Sequence, residues 1–310
     1  MKKLYILCLL MAANHFYAQT EIDGIMMDKN NFCTGAIYEY SSWDNYWEGN
    51  FKRENLNFGT ISTQKISVNG NYGITDKLNA IFSVPYVTTK ASSGTMLGQN
   101  GIQDLSLTLK YLFYEKEIKK NLLSFYILGG FSIPTTNYVA DYLPLSIGSQ
   151  SKTGSVRLMS DYQFGSLFAT ASCSYIKRSN IKIDRNTYYS DRMHYTNEVD
   201  MPDAVSFNAR AGYRTKRLIA EAIFDTWTTQ KGGFDITTNN MPFPSNTMNM
   251  SKIGFNGKYN LKSVSGLSII AGANHVVAGR NVGQSNAFYG GLFYIINFTS
   301  TKTKTTTNEN

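Results

Sequence analysis

From residue 32 onward the chain runs in stretches of about ten to fourteen residues in which apolar and polar positions alternate. Across 104–113, Leu105, Leu107, Leu109, Tyr111 and Phe113 share one parity, while Asp104, Ser106, Thr108, Lys110 and Leu112 share the other. Leu123, Phe125, Ile127, Phe131 and Ile133 repeat this against Ser124, Tyr126, Gly130 and Ser132. Val205, Phe207, Ala209, Ala211 and Tyr213 do so against Ser206, Asn208, Arg210 and Arg214. A period of two marks a strand, because successive side chains leave opposite faces.

The pattern predicts about twelve strands: 32–41, 58–74, 78–89, 102–114, 121–133, 153–163, 166–177, 204–214, 217–228, 249–260, 266–277 and 286–298. These are about twice the usual strand of 5–6 residues. They match the roughly 9–11 residues that a tilted strand needs to cross a bilayer. Short turns at 75–77, 115–120, 165, 215–216 and 261–265 alternate with long segments at 42–57, 90–101, 134–152, 178–203 and 229–248. That asymmetry predicts an all-β fold, a transmembrane antiparallel up-and-down β-barrel with short periplasmic turns and long extracellular loops.

The charges sharpen the prediction. One face of each run is free of Asp, Glu, Lys and Arg at its centre. The other carries Glu39, Lys65, Asp104, Lys110, Arg157, Asp161, Arg210, Arg214, Glu221, Asp225, Lys252 and Lys258. A basic side chain at mid-membrane on the lipid face costs about 2–4 kcal/mol, so the charged face is the lumen. Tyr72, Tyr86, Tyr111, Phe113, Tyr175, Tyr213, Tyr259, Tyr294 and Phe298 lie near strand ends on the apolar face, where aromatic girdles belong.

Composition removes the rival classes. Hydrophobic residues are 42% and charged residues 17%, with aromatic residues at 14%. Mean hydropathy is −0.26, too low for a bundle of membrane helices. The aromatic content excludes a disordered chain. The net charge is +8, but Lys and Arg are scattered without an interleaved aromatic pattern, so no nucleic-acid partner is expected. Residues 1–18 read as a signal peptide: Lys2 and Lys3, an apolar run over 4–13, and a cut near Ala18. The domain reading is then signal peptide 1–18, an N-terminal periplasmic segment 19–31, the barrel 32–298 and a polar, disordered tail 299–310. The expected location is the outer membrane of a Gram-negative bacterium, with barrel-assembly machinery and outer-membrane lipid as partners.

Asn71-Tyr72-Gly73-Ile74-Thr75-Asp76-Lys77-Leu78, the rise to Val84-Pro85-Tyr86, and Gly101-Ile102-Gln103-Asp104-Leu105 leading to Lys110-Tyr111 form a recognisable series. Over about 60–135 the chain resembles an outer-membrane β-barrel transporter family named for the MetA pathway of phenol degradation. The resemblance implies uptake of a small solute, aromatic if the family name is a guide. The leader ending in Ala18-Gln19 looks like those of Bacteroidetes.

Chemistry is sparse. His194 and His275 have no recognisable serine motif beside them, and the carboxylates Asp184, Asp191, Glu198, Asp200 and Asp203 match no known ion loop. No catalytic residue, metal or cofactor is expected. Cys33 and Cys173 read as strand residues outside any disulfide. The lumen candidates for selectivity are Lys110, Arg157, Arg210, Lys252, Asp104, Asp161 and Glu221, positions at which polar exchange should be tolerated. Trp43, Tyr46 and Trp47 are loop candidates for a ligand. A neutralised polar plug and a narrow, weakly anion-preferring conduit both fit this lumen. The functional expectation is passive uptake of a small solute; a non-conducting barrel with binding loops and an outer-membrane hydrolase are the alternatives.

Overall fold

The computed structural model describes residues 20–119, 121–237 and 241–298. The expected signal peptide and polar tail lie outside the described residues. Twelve long strands carry the fold. They are β1 (Asn31–Trp43), β2 (Ile61–Thr75), β3 (Leu78–Ala91), β4 (Asp104–Ile118), β5 (Asn121–Pro134), β6 (Thr153–Phe164), β7 (Leu167–Arg178), β8 (Ala204–Arg214), β9 (Leu218–Thr229), β10 (Asn249–Asn260), β11 (Leu267–Arg280) and β12 (Asn286–Asn297). Each pairs antiparallel with its neighbours in sequence. The barrel closes where β1 pairs with β12, from Asn31↔Asn297 to Ser42↔Asn286. Closure leaves no long free sheet edge, the requirement for a sheet in lipid.

The alternation seen in sequence becomes inside and outside. Leu107, Leu109, Tyr111 and Phe113 are exposed around the barrel, whereas Thr108 and Lys110 between them are buried. Every charged position assigned above to the lumen is buried or half-buried. Tyr111, Tyr213, Tyr259 and Tyr294 stand exposed on the outer face, as the girdle reading requires.

Two differences from the expected strands have local causes. The turn expected at 115–120 is mostly strand, because β4 continues past a register shift at 112–114 and pairs Glu115–Ile118 with Asn121–Ser124. Residues 113–119 are exposed throughout, so this hairpin projects beyond the barrel and tolerates polar residues. At the other rim, the strand expected from 58 begins at Ile61, with a short hairpin of Asn45–Glu48 and Phe51–Glu54 preceding it.

The larger correction concerns the segment expected in the periplasm. Residues 20–30 turn into the barrel instead of leaving it. Asn30 N donates to Gly73 O (2.8 Å) and Lys29 N to Asp76 Oδ1 (3.0 Å) at the short-turn rim. From there the chain runs inward, and Met27 is buried with Cys33, Ile270, Phe293 and Ile295. Met26 packs against the cluster of Leu112, Tyr126, Leu128 and Met159. The apolar run Ile25-Met26-Met27 gives the physical reason: such a run gains by burial, about 1.5–3 kcal/mol for a fully buried methionine.

At the long-loop rim the connections fold on one another. Ala140, Ile181, Ile183, Tyr188, Val199, Met201 and Phe243 form one apolar cluster drawn from three loops. The 135–152 loop also reaches inward, packing Tyr138 and Ile147 on Val87 of β3.

Candidate functional site

The lumen is the candidate site, and residues 20–30 occupy its short-turn half. Asp23 organises the turn: its carboxylate accepts from Thr20 Oγ1 (2.9 Å) and from Ile25 N (3.2 Å). This is the local habit of a turn aspartate. Lys110 of β4 then holds the turn. Its Nζ donates to Asp23 O (2.6 Å), Ile25 O (2.8 Å) and Thr20 O (3.3 Å), and lies 3.3 Å from Asp23 Oδ1. Lys110 is 0% exposed, so all of its hydration has been exchanged for these groups. Tyr126 OH donates to Gly24 O (2.8 Å). Gly24 passes so close to β6 that a Cβ would overlap the Asp161 carboxylate.

Most of the remaining lumen charges meet opposite charges. Arg214 makes two bonds to Asp161, Nη1 to Oδ2 at 2.9 Å and Nη2 to Oδ1 at 3.0 Å. Thr170 also donates to Asp161. Arg210 Nη1 donates to Glu221 Oε1 (2.6 Å), which also accepts from Asn256 Nδ2 (2.8 Å). Lys252 pairs with Asp225 (3.4 Å) and Lys65 with Glu39 (2.9 Å). Burying these groups singly would cost several kcal/mol each, so their pairing is a condition of the fold. Arg157 is held most loosely: Nη2 lies 3.8 Å from Glu21 Oε1, and Nη1 is buried without a partner among the described residues. Asp104 accepts from Tyr138 OH (2.6 Å) and so anchors the inward loop.

Above the N-terminal turn lies a cavity of about 370 Å³, with Thr20 and Glu21 on its lining and inward residues of β1–β6 around it. Its wall combines Ser, Thr and Asn with the apolar Ile37, Ile81, Phe82, Phe131 and Phe293. A second cavity of about 200 Å³ lies at the long-loop rim, bounded by Trp43, Tyr46, Phe58 and Pro242, with the Glu48–Arg53 pair (2.9 Å) beside it. Of the three loop aromatics singled out, Trp43 and Tyr46 therefore share a cavity. Trp47 does not; it is 8% exposed, and a Cβ on Gly279 would press on its ring.

One arrangement was missed. His194 Nε2 lies 2.8 Å from Ser190 Oγ, and the imidazole stacks on Tyr188 with centroids 4.5 Å apart. The pair sits in a two-residue hairpin, Tyr188–Tyr189 with Met193–His194, at a loop tip. Ser190 also bonds the Asp191 carboxylate (2.7 Å), which holds that group below the usual carboxylate range. Among the described residues no carboxylate bonds the His194 ring, and the two cavities above do not include it. Among the described residues, no group of three or more His, Cys, Asp or Glu is placed to hold a metal.

A closed twelve-stranded antiparallel barrel with an apolar outer belt and a polar lumen defines an outer-membrane β-barrel protein. The chain belongs to the family described as "Putative MetA-pathway of phenol degradation", which matches residues 53–290. Its fold is similar to that of the COG4313 outer membrane channel from Pseudomonas putida F1, with a TM-score of 0.71 at 11% identity, covering 90% of this chain and 100% of the channel. The translocator domain of the autotransporter NalP from Neisseria meningitidis aligns at a TM-score of 0.44 and 10% identity, over 86% of this chain and 88% of that one. No curated protein sequence matches the chain.

Proposed function

We propose that the protein is a passive outer-membrane channel for a small solute. The observation that carries this is the 370 Å³ cavity inside a closed barrel, lined by Ser, Thr and Asn side chains together with apolar ones such as Ile37, Ile81 and Phe293. Family membership and the channel-like fold support it. Residues 20–30 are the part of the lumen that has to yield for solute to pass the short-turn half. Cleavage of the leader near Ala18 would leave the new N-terminus next to Thr20, which lines the cavity. The solute is not an ion selected by a ring of one charge, since most lumen charges are paired. Arg157, held loosely by Glu21 at 3.8 Å, is a cation that biases small ions toward anions. Ser190 and His194 are given no catalytic role.

A second reading has its own observation. The short-turn half is occupied and the loop cap is folded around an aromatic cavity, as suits a non-conducting barrel whose loops bind a partner. Liposome swelling with the reconstituted chain separates the two. Solute entry supports the channel; a folded, heat-modifiable barrel without entry supports the binding barrel.

A further inference from the structure

Three arginines at the long-loop rim carry ion pairs: Arg53 with Glu48 (2.9 Å), Arg185 with Asp141 (2.8 Å) and Arg280 with Asp235 (2.7 Å). Arg178, the last residue of β7, is held differently. Its Nε donates to Pro202 O, and its backbone N donates to Asp203 Oδ1 (3.0 Å). The Asp203 carboxylate also takes the Tyr175 hydroxyl. Among the described residues no carboxylate forms an ion pair with the Arg178 guanidinium, and its Nη2 is buried without a partner. A cation stripped of water in this way favours an acceptor.

Arg178 lines a cavity of about 180 Å³ that two loops close over the end of β7. Ser146 and Ser149 come from 134–152, and the Ser149 hydroxyl has no partner among the described residues. Leu143, Ile147, Pro244 and Met248 make most of the remaining wall apolar, and no Asp or Glu lines it. The wall is braced from behind. A Cβ on Gly148 would overlap the hydroxyl of Tyr138, which Asp104 anchors, and Met248 N donates to Thr229 Oγ1 (3.1 Å). At about 30 Å³ for each water-sized group, the cavity has room for about six non-hydrogen atoms. We propose that it binds a short-chain monocarboxylate, with the carboxylate on Arg178 and Ser149 and the alkyl body against Leu143, Ile147 and Met248. A guanidinium matches one carboxylate in charge and shape, whereas a phosphate dianion would bring more charge than it meets here. Such a ligand would tie both loops to β7. The site lies in the loop cap, outside the lumen, and does not depend on whether the barrel conducts.

Calorimetric titration of the full chain in detergent, with barrel folding checked by heat-modifiable migration, tests it with butyrate, butyramide and inorganic phosphate. Butyrate should bind saturably at one site, roughly tenfold or more tighter than butyramide, which keeps the shape and lacks the charge. Phosphate should not displace it. Arg178→Gln should weaken butyrate binding by roughly tenfold or more, and Ser149→Ala, which removes a hydroxyl the fold does not use, by several-fold. Butyrate should also slow hydrogen exchange at 143–149 and 244–248. A folded chain that shows no saturable butyrate binding, that binds butyramide equally well, or that keeps full butyrate affinity in both variants overturns the proposal. Displacement of butyrate by phosphate overturns the carboxylate class. If Arg178→Gln fails to fold, Ser149→Ala and the comparison with butyramide decide.

Discussion

Lys110 Nζ, on a side chain with no exposed surface, donates to the Asp23 carbonyl at 2.6 Å and sits 3.3 Å from the carboxylate of the same residue. One buried cation thus fastens a segment 87 residues away in sequence to the inner wall. Hydrogen bonds to a charged group contribute about 1.5–3 kcal/mol. Lys110→Met keeps the length and removes the donors. Backbone amides of 20–30 should then exchange hydrogen roughly 10–100-fold faster, with the strand amides unchanged. Unchanged exchange at 20–30 would mean that Lys110 does not hold the segment.

Gly24 supplies a steric counterpart. A Cβ at that position overlaps the Asp161 carboxylate, which Arg214 holds from the other side. Gly24→Ala should therefore loosen the segment while every donor stays in place. The same exchange measurement reads it, and protection equal to that of the unaltered chain would contradict the packing described.

Arg210 and Arg157 should respond differently to removal, contrary to the expectation that lumen positions tolerate polar exchange alike. Arg210→Ser takes the cation from Glu221 and a donor from Asn208 and should cost about 3–5 kcal/mol of barrel stability, read as an earlier urea transition. Arg210→Met with Glu221→Leu should recover most of it. Arg157→Ser removes a weakly paired group and should shift small-ion preference toward cations with little loss of stability. Leu107 is 52% exposed on the lipid side, so Leu107→Arg should impair assembly by about 2–4 kcal/mol. A harmless Leu107→Arg would mean that the lumen and lipid faces are the reverse of those described.

Acidification should release the loop cap at one identifiable clamp. Arg280 Nη2 and Nε bond Asp235 at 2.7 and 2.8 Å, and Asn281 Nδ2 adds a third bond at 2.7 Å. The guanidinium holds the Asp235 carboxyl below the usual carboxylate range. A depressed carboxylate pKa stabilises the folded state above the ordinary aspartate value of about 3.9. That contribution is lost as pH falls through the lower folded value. Protection of 230–237 should be flat from pH 8 to about 5 and decline below about 4, and Asp235→Asn should flatten the acid limb. A decline centred near neutral pH would assign the clamp to another group.

Strand faces were legible in the sequence because a period of two and the cost of charge in lipid act residue by residue. Leu107 out and Lys110 in required no partner to be known. Pairing across the lumen was not legible. Arg214 and Asp161 are 53 residues apart, and their meeting depends on the stagger and curvature of three strands. The inward turn of 20–30 did leave a trace, since Ile25-Met26-Met27 is an apolar run in a stretch assigned to water. It was overlooked because the run is too short to show periodicity. Ser190 and His194 were separated by four positions in an irregular loop, and only a tight hairpin puts them in contact. Trp47 was grouped with Trp43 by proximity, although alternation in the short strand Asn45–Glu48 turns it to the other side.

Planar-bilayer recording of the purified full chain, beside its Lys110→Met variant, tests the central claim most directly. Discrete single-channel steps with weak charge preference are expected in the unaltered protein, and larger or longer openings once the N-terminal segment is loosened. Repeated insertion of folded, heat-modifiable barrel without discrete steps in either protein would contradict it.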